Sequence, residues 1–258
     1  MIDLAVNIAK EAGYFLKENI GKIHEIEQKD GLSTNLVTDV DKRSEALIIA
    51  RIREYYPDHQ ILAEESGKEQ TNSSYKWIID PLDGTTNYAH RFPVYCVSIA
   101  IEHNGKVIAG VVYDPNLDEL FTAERGGGAY LNGERLHVTN TSSLKRSLLA
   151  TGFPYNLHEN PFNCIGHFNN FLMEAQAIRR LGSAALDLAY VAAGRLDGFW
   201  EVNLNPWDMA AAALFVEEAG GKVSDFMGNP FSIYRPQVVA SNGFIHEEML
   251  RVLKRGMA

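Results

Sequence analysis

The pattern of strand and helix signals changes once along the chain, and this change constrains the fold more than any single motif. From residue 94 to residue 133, apolar segments follow one another, with Asn-Gly turns at Asn104-Gly105 and Asn132-Gly133, as in consecutive antiparallel hairpins. From about Thr141, strand segments alternate with helical ones, which is typical of a sheet covered by helices. The sequence predicts two sheets with helices between and outside them, with an α+β half over residues 1–140 and an α/β half over residues 141–258.

Composition limits the class of protein. The chain has 258 residues, of which 46% are hydrophobic and 22% charged, and it has no apolar run near the roughly 18 residues that a membrane span needs. A net charge of -9 argues against broad binding to nucleic-acid phosphates. The first residues predict an amphipathic helix rather than a signal peptide. We therefore expect a cytoplasmic protein that does not bind membranes or nucleic acid.

The two cysteines, Cys96 and Cys164, lie far apart and show no CxxC spacing. This arrangement gives no support to a disulfide framework or to a zinc site built from cysteines. We expect two thiols in the core.

The segment WIIDPLDGTTN places acids where an apolar strand ends. Asp80 follows the strand, and Asp83 stands at the predicted N-cap of the next helix, where backbone N–H groups point outward. Carboxylates beside such a helix start suit a hard cation such as Mg²⁺ together with a phosphate. An isolated Asp-x-x-Asp-Gly is also common as a simple turn and cap, so other residues must decide between these interpretations.

More acids stand at the ends of predicted elements. Glu64 ends the short strand QILAEES, Asp208 falls in the first turn of a helix that begins NPWD, and Asp41 follows the segment LVT. If Glu64, Asp80, Asp83 and Asp208 converge, two of their charges about 4 Å apart repel by roughly 4 kcal/mol at an effective dielectric near 20. Bound divalent cations reverse the sign of that interaction. We therefore predict a metal site rather than a pair of acids sharing a proton.

Four segments together resemble the signatures of a known family. They are LVTDVD, AEES, IIDPLDGTTNYAH and NPWDMAAAALFVEEAGG, and they extend from Leu36 to Gly221. They are similar to the inositol monophosphatase family. The resemblance implies a phosphomonoesterase that depends on magnesium, is sensitive to lithium and is commonly a homodimer. It also implies a five-layer αβαβα sandwich like that of the fructose bisphosphatases.

The resemblance also implies a set of metal ligands. Glu64, Asp80 and the backbone carbonyl of Leu82 would hold a first Mg²⁺ ion. Asp80, Asp83 and Asp208 would hold a second, and a third, weaker ion would lean on Glu64. Two or three magnesium ions per site are therefore expected.

The implied catalytic residues are Thr85, Asp41 and Glu64. Thr85, supported by Asp41, resembles the threonine that helps to orient and deprotonate the metal-bound water. The N–H groups of Gly84 and Thr85 would hold the phosphate. A phosphate monoester is close to a dianion at neutral pH, so an acidic pocket would repel it unless cations intervened.

The implied substrate residues surround this site. They are Asp83, Gly84, Thr85, Gly182, Ser183, Ala184, Glu201 and Asp208. Glu201 would accept hydrogen bonds from ring hydroxyls, and a substrate that left this acceptor unpaired would lose about 1 to 3 kcal/mol. The alternative for Glu201 is a surface acid paired with Arg195 or Arg180. No role is assigned to Lys29, although it lies near the position of a family lysine.

The favoured activity is hydrolysis of myo-inositol monophosphate, because Glu201 favours a small phosphorylated polyol. Fructose 1,6-bisphosphate, histidinol phosphate and 3′-phosphoadenosine 5′-phosphate are substrates of phosphatases with the same metal signatures, so they remain alternatives. A hypothesis of another class is a regulatory binding protein whose phosphatase activity is secondary.

Overall fold

The computed structural model describes residues 1–22, 26–28 and 36–255. Lys29 lies outside the described residues. The α-helices in the described part are α1 (Ile2–Asn19), α2 (Asp39–Tyr55), α3 (Thr85–Ala89), α4 (Cys164–Glu174), α5 (Ala184–Ala192), α6 (Pro206–Glu218) and α7 (His246–Lys254). Short 3-10 turns occupy Leu144–Arg146, Leu157–Glu159 and Pro161–Asn163.

The first sheet has eight strands. In chain order they are β3 (Gln60–Ala63), β4 (Gly67–Glu69), β5 (Tyr75–Asp83), β6 (Cys96–His103), β7 (Lys106–Asp114), β8 (Glu119–Glu124), β9 (Gly128–Leu131) and β10 (Glu134–Arg135). Their order in space is β10-β9-β8-β7-β6-β5-β3-β4. All neighbours are antiparallel except β3 and β5, which run parallel. A separate antiparallel pair joins β1 (Ile26–Gln28) to β2 (Leu36–Thr38).

The second sheet has five strands in the order β12-β11-β13-β15-β14. They are β11 (Leu148–Thr151), β12 (Ala177–Arg179), β13 (Gly198–Val202), β14 (Lys222–Ser224) and β15 (Gln237–Ser241). β11 runs parallel to β12 and to β13, whereas β15 runs antiparallel to β13 and to β14. The parallel pairs are the ones connected through helices, as parallel pairing requires.

The helices and the two large sheets form five layers. α1 and α2 cover the outer face of the first sheet, α5 and α6 lie between the sheets, and α4 and α7 cover the outer face of the second sheet. Three buried apolar clusters fill the spaces between these layers. One lies between α1/α2 and the first sheet, one surrounds α5 and α6 between the two sheets, and one lies between the second sheet and α4/α7. The predicted αβαβα sandwich is therefore confirmed.

The sequence of α6 explains its central position. Residues Met209 to Val216 are all buried, because this helix is apolar around its whole circumference and so must be covered on every side. α6 packs against the first sheet at Gly110 of β7, where an added Cβ would lie 2.8 Å from the Cα of Ala211. The absence of a side chain at Gly110 therefore sets how closely α6 approaches the sheet.

Two further expectations concern the core and the membrane. Cys96 and Cys164 are free, buried thiols, as predicted. Among the described residues, none of the helices combines the length and the apolar character that crossing a membrane requires.

We predict that Gly110→Ala lowers the free energy of unfolding by about 1 to 3 kcal/mol, because α6 must move away from the sheet to admit the methyl group. Urea denaturation followed by circular dichroism measures this. The matched control is Gly127→Ala, whose added Cβ would come no closer than 3.2 Å to a neighbouring atom. Equal losses in the two variants would contradict the proposed tight contact.

Candidate active site

A cavity of about 380 Å³ opens where the ends of the first sheet meet the starts of α5 and α6. It is lined by almost all of the predicted site residues, namely Glu64, Asp80, Leu82, Asp83, Gly84, Thr85, Gly182, Ser183, Ala184, Glu201 and Asp208. Asp41 does not line the cavity and lies behind Thr85, to which it is hydrogen-bonded. The fold thus brings together residues that are up to 167 positions apart in the sequence (Asp41 to Asp208).

The end of β5 holds its acids on an irregular backbone. The pairing of β5 with β6 shifts register between Asp80 and Asp83. The Leu82 N–H donates to Oδ1 of Asp80 at 3.0 Å, and the Ser44 hydroxyl donates to the Pro81 carbonyl at 3.0 Å. These bonds fix both the Asp80 carboxylate and the peptide that carries the Leu82 carbonyl.

The predicted N-cap role of Asp83 is wrong. β5 continues through Asp83, and Gly84 is the N-cap of α3 with φ 101°. A Cβ at Gly84 would also lie 2.8 Å from the Val94 carbonyl oxygen, so glycine suits this turn for two reasons. The Asp83 carboxylate instead accepts hydrogen bonds from the Ser183 hydroxyl at 2.7 Å and the Ala185 N–H at 2.8 Å. It therefore caps α5, a helix about 100 residues later in the chain.

Asp41 is held by a capping box at the start of α2, which it forms with Thr38. The Thr38 N–H donates to its Oδ2 at 3.0 Å, and the Thr38 hydroxyl also donates to this oxygen. The Thr85 hydroxyl lies 2.9 Å from Oδ1 of Asp41 and 3.1 Å from the Leu82 carbonyl. Because both neighbours are acceptors, they share the one hydroxyl proton of Thr85. The Thr85 oxygen is therefore positioned as an acceptor toward the cavity.

The carboxylates of the cavity repel one another. The pKa of buried Asp80 is raised well above its ordinary value, first by burial and then by the charges of Glu64, Asp83 and Asp208. Burial and the charges of Glu64 and Asp83 likewise raise the pKa of half-buried Asp208. Burial also raises the pKa of Asp83, although its hydrogen bonds from Ser183 and Ala185 oppose the shift. Each acid is therefore costly to ionise without a cation nearby.

Asp208 lies in the first turn of α6, as predicted. The Asn205 N–H donates to Oδ2 of Asp208 at 2.7 Å, and the two residues form a capping box at the start of the helix. The carboxylate is thus oriented by the helix that carries it.

Sequence reasoning missed Glu45, which positions the segment carrying Glu64. The N–H groups of Glu65 and Ser66 each donate to the buried Glu45 carboxylate at 2.8 Å. The signal was present, because Glu45 precedes buried Ile48 by three and therefore lies on the apolar face of α2. A buried acid on such a face needs partners.

Glu201 stands at the far wall of the cavity. It is 8% exposed and packs against Gly152 of the neighbouring chain segment, where an added Cβ would overlap its carboxylate. Burial and Asp83 raise the pKa of Glu201 to about 8, against the opposing effect of Arg180. The alternative of a surface acid is therefore wrong, and Arg195 forms its ion pair with Glu119 instead.

Several other lining residues had no predicted role, among them Tyr155, Asp187, Asn203 and Asn205. Asp187 could have been noticed, because it is the one acid within the apolar helical segment AALDLAYVAA.

Known proteins are similar to this chain in sequence and in fold. The family model described as "Inositol monophosphatase family" matches residues 1–258. A protein of Escherichia coli (strain K12) named "Nus factor SuhB" is 47% identical over 251 residues, which cover 97% of this chain and 94% of that protein. A protein of Mesorhizobium japonicum named "Inositol-1-monophosphatase" is 40% identical over 259 residues, covering 100% of this chain and 97% of its own.

Solved structures of relatives have the same fold. The extragenic suppressor protein suhB from Bartonella henselae has a TM-score of 0.93 at 42% identity, with 98% of each chain covered. The inositol monophosphatase from Anabaena has a TM-score of 0.89 at 43% identity, with 99% of this chain and 95% of that chain covered. The resemblance drawn from the sequence motifs is confirmed, and membership of the family supports a phosphatase activity. The chain belongs to the inositol monophosphatase family.

Proposed function

We propose that the protein hydrolyses a phosphate monoester with the help of Mg²⁺, and that myo-inositol monophosphate is its substrate. The observation that carries this proposal is the convergence of Glu64, Asp80, Asp83 and Asp208 on one cavity beside Thr85. Such a set of acids is unfavourable by itself and becomes favourable with cations and an anionic ester. Membership of the family supports the same conclusion.

The donor atoms of the cavity fit magnesium, because all of them are oxygens. Glu64, Asp80 and the Leu82 carbonyl would hold one ion, and Asp80, Asp83 and Asp208 a second, with a third near Glu64. Among the described residues, three or more His, Cys, Asp or Glu side chains do not yet surround a single point. Mg²⁺ would complete its coordination with water and phosphate oxygens, as it commonly does. When bound, magnesium supplies positive charge for the ester and makes water more acidic.

The protein groups position the attacking water and the ester. The Thr85 oxygen would accept a hydrogen bond from the water, while Asp41 holds the Thr85 hydroxyl in the orientation this needs. Glu64 would assist as a second acceptor for the proton of the water. The backbone N–H groups of Gly84 and Thr85 would donate to the phosphate. Positioning and charge stabilisation of this kind are what phosphoryl transfer mainly requires.

The polyol part of the ester would lie toward α5 and Glu201. The Ser183 hydroxyl already donates to Asp83, so Gly182, Ser183 and Ala184 would contact the substrate through their backbone. Glu201 would accept hydrogen bonds from ring hydroxyls. Lithium sensitivity, the homodimer and the cytoplasmic location stay predictions.

We predict that Mg²⁺ raises the melting temperature of the protein and that Asp80→Asn removes most of this increase. A ligand present at 100 times its Kd raises the free energy of unfolding by about 2.7 kcal/mol.

In the metal-free protein, the raised pKa of Asp80 means that the folded state binds more protons than the unfolded state, so the free energy of unfolding falls as the pH rises above about 4. Asp80→Asn should reduce that dependence. Thermal denaturation in Mg²⁺ and in EDTA measures the effect of the metal. Thermal denaturation in EDTA at several pH values measures the pH dependence.

The control for this experiment is Asp58→Asn, which changes an exposed acid outside the cavity. It should respond to Mg²⁺ as the wild type does. An equal increase in melting temperature for Asp80→Asn and the wild type would place the metal elsewhere.

We predict that the wild type releases phosphate from myo-inositol 1-phosphate faster than from fructose 1,6-bisphosphate, histidinol phosphate or 3′-phosphoadenosine 5′-phosphate. The reaction should need Mg²⁺ and be inhibited by Li⁺. Asp83→Asn should lower kcat/KM by about 100-fold or more, because the variant loses a charged ligand next to the phosphate. Asp58→Asn should retain full activity.

Different outcomes of this panel lead to different conclusions. Preference for another ester would keep the site and replace the substrate. If none of the four esters is hydrolysed in Mg²⁺, the proposed activity is contradicted.

A second candidate function comes from the names of relatives. The 47% identical protein of Escherichia coli is called a Nus factor, which agrees with the hypothesis of a regulatory binding protein. We predict that this chain and its Asp83→Asn variant both restore function in an Escherichia coli strain that lacks its own SuhB. Restoration by both would separate this role from hydrolysis. Failure of both, with the proteins expressed at normal levels, would count against the second role.

A further inference from the structure

Two buried carboxylates lie in the cavity wall away from the proposed metal ligands. Asp187 of α5 is 1% exposed and Glu201 of β13 is 8% exposed, and both line the cavity. Within the described part of the chain, Oδ1 of Asp187 is buried and has no hydrogen-bond partner. No N–H or O–H group of the described residues donates to the Glu201 carboxylate either.

The two groups are electrostatic neighbours. The charge of Glu201 is the largest effect after burial that raises the pKa of Asp187, and Asp83 adds to it. Arg180, an exposed residue that also lines the cavity, has the opposite effect on both acids. The far wall of the cavity therefore presents two hydrogen-bond acceptors and one cation.

A structural role does not explain Asp187. Its position in the first turn of α5 gives a favourable interaction with the helix dipole. That benefit is much smaller than the cost of burying a carboxylate without a partner beside another carboxylate. Asp83 and Ser183 already cap the start of α5, so the helix does not need Asp187 for this purpose.

We propose that Asp187 is a specificity-determining residue that accepts hydrogen bonds from hydroxyl groups of the substrate, beside Glu201. This inference rests on the proposed phosphatase function and deepens it. Two adjacent acceptors with no protein donors select a ligand rich in O–H groups, because an ester without them leaves both carboxylates unpaired. The guanidinium of Arg180 disfavours an ammonium group at the same place, so a neutral polyol fits better than an amine.

The experiment compares two esters in the wild type, in Asp187→Leu and in Asp187→Ala. One ester is myo-inositol 1-phosphate, and the other is p-nitrophenyl phosphate, whose leaving group has no second hydroxyl. Asp187→Leu should raise KM for the inositol ester by about tenfold or more, since a buried hydroxyl that is left without its acceptor weakens binding by about this factor. Its kinetics on p-nitrophenyl phosphate should change by about twofold or less.

A stability measurement separates this role from a structural one. Without metal, Asp187→Leu should melt at or above the temperature of the wild type, because it removes a buried polar group that has no hydrogen-bond partner. Asp58→Asn should change neither KM nor the melting temperature. If Asp187→Leu does not fold, Asp187→Ala carries the kinetic comparison, since it also removes both acceptor oxygens.

Other outcomes would overturn the inference. An equal increase in KM for both esters, or an unchanged ratio of their KM values in a folded variant, would show that Asp187 does not recognise hydroxyl groups. A preference for histidinol phosphate that depends on Asp187 would assign the residue to an ammonium group instead.

The wild type separates this inference from the proposed function. If it prefers another hydroxyl-bearing ester, the inositol substrate is wrong, and the same comparison on that ester tests Asp187. If its KM for p-nitrophenyl phosphate equals its KM for every hydroxyl-bearing ester, the inference fails while the phosphatase stands. If it hydrolyses none of them in Mg²⁺, both fail.

Discussion

The burial of several like charges in one cavity is the constraint on which the site depends. Asp80, Asp83 and Asp208 raise one another's cost of ionisation, so the chain must hold them in place against their repulsion. It does so with a separate donor for each: the Leu82 N–H for Asp80, the start of α5 for Asp83 and the Asn205 N–H for Asp208. The rest of the fold must stabilise the protein enough to offset the unfavourable free energy of placing these charges together.

That stability comes from the layer between the sheets. α5 and α6 are buried on nearly all sides and belong to the largest apolar cluster. The same two helices direct their N-termini at the cavity, where they bring Asp208 and the donors that hold Asp83. The core and the site are therefore not separable, because a displacement of α6 from the first sheet also displaces Asp208. The close contact at Gly110 limits such a displacement.

What could be predicted from the sequence was local. The box of Thr38 and Asp41, the position of Asp208 and the two sheets follow from neighbouring residues and from the order of elements, and the structure agrees. The cap role of Asp83 was predicted wrongly, because it depends on the left-handed backbone of Gly84 and on a helix distant in the chain. Glu45 was missed for the same reason, since its partners lie 20 and 21 residues later.

Hydrogen bonding divides the acids of the cavity into two kinds. Asp80, Asp83 and Asp208 accept bonds from the protein, so their positions are fixed before any ligand arrives, as preorganised charge stabilisation requires. Asp187 and Glu201 accept none from the described residues, so their hydrogen-bonding capacity is available to whatever enters. In the proposed function, the fixed acids would hold the metal and the phosphate, whereas Asp187 and Glu201 would face the rest of the substrate. On that proposal, selectivity can change at the far wall without disturbing the acids that bind the metal.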